Sequence, residues 1–87
     1  MYRTLWESRL VHLFDTEIEN EFGRRATFVF PFTYHEDIDV EVVEDIIKLR
    51  EEALTEFDRI ISGKKCKIIS FVYTEQQQTL GDFVYGK

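Results

Sequence analysis

The chain is poor in residues that interrupt or cross-link structure. Its 87 residues include one cysteine, one proline, four glycines and two histidines, with no long uncharged apolar run. Each shortage excludes something. The lone Cys66 cannot close an internal disulfide, which removes the stapled architecture of small secreted domains and suits a reducing compartment. So few glycines and prolines leave little room for long loops. No stretch approaches the roughly 20 apolar residues of a membrane helix. The opening residues carry Arg3, Glu7 and Arg9 and so form no apolar targeting segment. A soluble, cytoplasmic protein is the expectation, with no membrane partner.

The usual signatures of catalysis are missing as well. GxxxxGK[ST], GxGxxG, HExxH and GxSxG do not occur. His12 stands beside an apolar stripe, where packing explains it. His35 has Glu36, Asp37 and Asp39 nearby, but no second His or Cys lies at ligand spacing, and helix capping accounts for the aspartates. Cys66 follows Lys64 and Lys65, cations of the kind that lower a thiol pKa. It has no partner cysteine, and a small packed side chain is the plainer reading. Neither catalytic residues nor a metal or cofactor are expected, and the chain does not read as an enzyme. No residue set diagnostic of a known family is present.

What the chain does have is apolar and acidic. Hydrophobic residues make up 44% and aromatics 15%, including eight Phe and four Tyr, enough for the core of one domain over residues 1–87. Seventeen acidic residues against eleven basic ones give a net charge of −6, the wrong sign for direct binding to nucleic-acid phosphates.

Periodicity divides the chain into five segments. Trp6, Leu10, Leu13, Phe14, Ile18 and Phe22 recur at helical steps, so Tyr2–Phe22 reads as an amphipathic helix. Thr4 and Glu7 would form its capping box and Gly23 its C′ residue. Ala26–Tyr34 alternates, with Phe28, Phe30, Phe32 and Tyr34 on one face of a strand, and Pro31 demands an edge position or a bulge. Asp39–Gly63 is the longest helical pattern, with Val43, Ile46, Ile47, Ala53, Leu54, Phe57, Ile60 and Ile61 on one side. Asp37 or Asp39 would cap its start, Glu41, Glu44 and Asp45 suit its positive end, and Arg59, Lys64 and Lys65 suit its negative end. Cys66–Glu75 reads as a second strand, Gln76–Thr79 as a connection and Leu80–Tyr85 as a third strand.

The expected order is therefore α-β-α-β-β. It makes an α+β two-layer sandwich: a small three-stranded mixed sheet, including a parallel crossover, with two helices packed on one face. Gly23-Arg24-Arg25 and Gly63-Lys64-Lys65 would each end a helix and begin a strand, which raises the idea of a duplicated unit. Exposed strand aromatics could stack RNA bases, but packed against the helices they are core. Val29, Pro31, Ile68 and Val72 fall on the other sheet face, a candidate surface for a second copy of the chain.

The sharpest functional signal is the acid content of the middle segment. Ten carboxylates lie between residues 36 and 58, at Glu36, Asp37, Asp39, Glu41, Glu44, Asp45, Glu51, Glu52, Glu56 and Asp58, with Lys48 and Arg50 interrupting the run. A rigid helix bearing these charges can occupy a basic groove on another protein. The expected function is a small acidic binding protein of the inhibitor, immunity or anti-defence type, presenting this helix to a basic partner surface. The alternative is a structural or regulatory homodimer without catalytic activity.

Overall fold

Asn20 turns the first third of the chain back on itself. In the computed structural model, which describes residues 9–86, the Asn20 Oδ1 accepts the backbone N–H groups of Phe22 and Arg24 at 2.9 Å each. The Asn20 N–H donates to the Arg24 carbonyl at 2.8 Å, and Gly23 closes the turn at φ +79°, a conformation that costs other residues more. This turn joins β1 (Leu10–Asn20) to β2 (Arg25–Thr33) as an antiparallel hairpin. The helix α1 (Val43–Ile61) follows, then β3 (Cys66–Thr79) and a short helix α2 (Leu80–Tyr85). β3 returns along the free side of β1, so the sheet order is β2-β1-β3 and every pairing is antiparallel.

The expected α-β-α-β-β order and mixed sheet are thus overturned. The chain runs β-β-α-β-α, with no parallel crossover. The segment read as a first helix is, over Leu10–Asn20, the central strand. Two periodicities compete there. Leu10, Leu13, Phe14 and Ile18 fit a helix, but Phe14, Thr16 and Ile18 also alternate strictly with Asp15, Glu17 and Glu19. β-branched Val11, Thr16 and Ile18 favour the strand, and pairing on both sides settles it. The proposed capping residues Thr4 and Glu7, and Trp6, lie outside the described residues. Gly23 sits in a hairpin and Gly63 follows a helix, so the two glycine-basic triplets are not equivalent and no duplicated unit exists.

The last segment is corrected in the opposite direction. Gln76–Thr79 continues β3, and Leu80–Tyr85 is helical rather than a strand. Thr79 caps this turn of helix, its Oγ1 accepting the Asp82 N–H at 3.2 Å, and Gly86 ends it at φ +76°.

α1 is shorter at its start than the pattern suggests. Neither Asp37 nor Asp39 is its N-cap; Val42 holds that position without a side-chain cap. Asp39 and Asp45 instead brace the preceding turn: the Asp39 N–H donates to Asp45 Oδ2 at 3.1 Å, and the Glu41 N–H to Asp39 Oδ1 at 2.9 Å. The C-terminal end agrees with the sequence, with Gly63 at φ +85° and the Lys64 ammonium donating to the Ile60 carbonyl at 3.2 Å.

One face of the sheet lies against α1. Phe14 and Leu49 are wholly buried, with Ala53, Phe57, Phe71, Tyr34 and Tyr73 around them. The Phe14 and Phe71 rings stack at 4.7 Å and 11°, and Phe57 from α1 stacks on Phe71 at 5.7 Å and 19°. A one-residue bulge in β3 decides which side chains reach this layer. Ser70 pairs with Glu17 and Ile68 with Ile18, so Ile69 is extra and the alternation reverses across it. Ile68 therefore packs against the core while Val72 stays 56% exposed on the far face. The surface expected from Val29, Pro31, Ile68 and Val72 loses Ile68 for this reason. Pro31 does lie on an edge strand, β2.

Phe14→Ala should lower the unfolding free energy by about 3–5 kcal/mol, because it removes the ring on which Phe71 and Tyr73 rest. Phe22→Ser, at a turn position 79% exposed, should change it by less than about 0.5 kcal/mol. Urea titration followed by circular dichroism measures both.

Candidate functional site

The ten carboxylates expected to bind a partner do not form one uniform set. Asp39 and Asp45 are engaged in the turn before α1. Glu36 pairs with His35 at 3.0 Å and Lys48 at 3.8 Å, and Glu56 with Arg59 at 2.9 Å. Glu52 stands beside the Tyr34 hydroxyl. Contact of the hydroxyl with the Glu52 carboxylate, then burial and then the carboxylate charge push the Tyr34 pKa up to about 12, although among the described residues the shielded Oη has no hydrogen-bond partner of good geometry. That leaves Asp37, Glu41, Glu44, Glu51 and Asp58, all exposed, with no ion pair among the described residues.

Three of these five form a line. Glu44, Glu51 and Asp58 recur every seven residues, which is nearly two helical turns, so they repeat along the solvent side of α1 at ~10 Å intervals. Core packing cannot explain them, since Leu49, Ala53 and Phe57 occupy the opposite side.

A second carboxylate column was not anticipated. The alternation of β1 points Asp15, Glu17 and Glu19 away from α1, onto the open face of the sheet. Glu19 is neutralised there: Arg25 Nε lies 3.1 Å away and Lys67 Nζ 3.3 Å, and their hydrogen bonds hold its pKa below the ordinary carboxylate value. Glu17 has Arg25 at 3.6 Å. Recognising β1 as a strand would have exposed this column in the sequence.

The two histidines, separated by a strand and a turn, converge. His12 and His35 line one cleft of about 180 Å³ with Arg9, Leu10, Tyr34, Glu36 and Asp37. The His12 Nδ1 lies 3.0 Å from the Tyr73 hydroxyl. Burial holds His12 below its ordinary pKa of 6.5 and raises that of Tyr73, so near neutrality the pair is an uncharged imidazole and a protonated phenol. Among the described residues no three His, Cys, Asp or Glu side chains are grouped to hold a metal.

Cys66 is far from both histidines. It pairs with Asn20 at one end of β1, whereas His12 is near the other, ~26 Å along the strand. A Cys–His dyad is therefore impossible in this fold. The strand aromatics Phe14, Phe71 and Tyr73 are buried under α1 and form core, not a platform for bases. No helix among the described residues is long and apolar enough to cross a membrane.

Comparison of the chain with protein-family models, with curated proteins and with solved structures finds no match.

His12 makes stability depend on pH. The unfolded chain takes up a proton near pH 6.5 while the folded chain resists it. The contribution of neutral His12 is intact above that pH and declines as pH falls toward the lowered folded-state value. His12→Gln removes the titration, so the stability gap between wild type and variant should shift against wild type as pH drops from about 7.5 to about 5.5. Urea midpoints across that range measure the shift.

Proposed function

We propose that the protein is a non-catalytic binding module that docks against a basic surface on another protein, in the manner of an inhibitor or immunity protein. The observation that carries this reading is the carboxylate row on α1, unpaired among the described residues. Glu44, Glu51 and Asp58 repeat along one exposed line, and Glu41 is exposed in the turn that precedes the helix. These charges do not brace the fold, unlike Asp39 and Asp45, and among the described residues they meet no cation, unlike Glu36 and Glu56. A helix anchored by Leu49, Ala53 and Phe57 holds them at fixed spacing, so a complementary partner loses little entropy in engaging them. Such contacts steer association and weaken with salt.

The test separates binding charges from structural ones. Glu41, Glu44, Glu51 and Asp58 are changed together to Lys, leaving Asp39 and Asp45 in place. Wild type immobilised in native host lysate should retain a basic protein at low salt and release it at high salt. The purified partner should bind the reversed variant at least about tenfold more weakly, since four exposed contacts contribute a few tenths to one kcal/mol each. Circular dichroism should show an unchanged fold. Equal affinity for the two forms overturns the proposal.

A further inference from the structure

β1 begins where β2 ends. The register that pairs Val11 with Thr33 brings Arg9 and Leu10 beside Tyr34 and His35, and the loop leaving for α1 adds Glu36 and Asp37 to the same corner. The cleft of about 180 Å³ formed there holds more hydrogen-bonding capacity than the fold uses. His12, in its wall, is 2% exposed. Its Nδ1 lies 3.0 Å from the Tyr73 hydroxyl, and burial keeps the imidazole neutral and the phenol protonated. The phenol O–H needs an acceptor, and among the described residues Nδ1 is the one within reach. That assigns Tyr73 as donor and the imidazole proton to Nε2. The Nε2–H has no acceptor among the described residues, so His12 keeps one donor for the cleft. Arg9 and Asp37, both exposed, line the cleft and have no ion pair among the described residues. Glu36 differs, being held by His35 and Lys48. Tyr34 completes the wall, and beyond its contact with Glu52 its hydroxyl is unsatisfied as well.

The signs of the free groups decide what fits. A bare anion finds donors at Arg9 and His12 but meets the charge of Asp37 and Glu36. A bare cation finds Asp37 but meets the Arg9 guanidinium and a second donor. A molecule carrying both charges on a short skeleton satisfies all three free groups at once. We infer that the cleft binds a small zwitterion of the free amino acid type, its carboxylate on Arg9 and the His12 Nε2–H and its ammonium on Asp37. The guanidinium fork matches a carboxylate in shape as well as charge. Leu10 supplies an apolar wall for a short side chain. Volume limits that side chain. At about 30 Å³ for each small heavy-atom group the cleft takes about six, the size of alanine, and it is well below the space a drug-sized ligand needs. Glu44, Glu51 and Asp58 do not line this cleft, so the site is independent of the carboxylate row on α1.

Nuclear magnetic resonance of the full chain, following the His12 imidazole, tests the site. L-Alanine is titrated from about 0.1 to about 100 mM, the range expected for a ligand of so few atoms. The His12 resonances should shift and saturate. Acetate and ethylamine, each with one of the two charges, should bind at least about tenfold more weakly, and L-tryptophan should cause no saturable shift. Arg9→Gln and Asp37→Asn, at exposed positions, should each weaken L-alanine at least about fivefold without altering the circular dichroism spectrum. No saturable response of His12 to L-alanine overturns the inference. So does acetate or ethylamine binding as tightly as L-alanine, or an affinity indifferent to either substitution.

Discussion

Everything in this fold rests on the stack of rings between the sheet and α1. Phe14 lies at the centre of the middle strand with no solvent exposure, Phe71 stacks on it from β3, and Phe57 stacks on Phe71 from the helix. Phe30 joins from β2 at 5.0 Å from Phe57. All four longer elements therefore contribute one ring to a single contact. A small domain has little apolar area to bury, and flat aromatic side chains remove the most area for each residue committed. Placing them at one point fixes helix and sheet relative to each other and leaves the outer helix side free for charge.

The parts of this arrangement that were legible in the sequence are those where a single periodicity dominates. α1 has apolar residues on one side, acids at its start and Gly63 at its end, and these agree. β2 alternates without competition, and β3 is legible as a strand although not in the facing of its first residues. Leu10–Asn20 fails because its apolar residues fit both repeats at once; the choice is made by two flanking strands, one of which lies far along the chain. Leu80–Tyr85 fails for a simpler reason. Phe83, Val84 and Tyr85 have strand propensity, but Thr79 caps the segment and Gly86 closes it, and in six residues those ends outweigh propensity.

Candidate sites divide along the same line. Exposed carboxylates on α1 could be placed because the helix could be. Their division into bracing, paired and free groups could not, since Asp45 reaches Asp39 across a turn and Glu52 reaches Tyr34 across the layer. The meeting of His12 and His35, and the acid column on the open face of the sheet, both depend on β1 being a strand. One misread element thus hid two features. The bulge at Ile69 hid a third, because an extra residue in a paired strand leaves no mark in composition, yet it sends Ile68 into the core and keeps Val72 out.

The position of β1 between its two neighbours also sets an order of events during synthesis. β1 and β2 are joined by a tight turn around Asn20 and can pair as soon as both have left the ribosome, whereas Leu10 must wait for Thr79 and Asn20 for Cys66. Until α1 follows, a two-stranded ribbon displays Phe14, Phe28 and Phe30, and such ribbons are marginal alone. The nascent chain passes through an interval in which its most apolar face is bare. Asp15, Glu17 and Glu19 fall on the other face of the same ribbon, where charge opposes association of one bare ribbon with another.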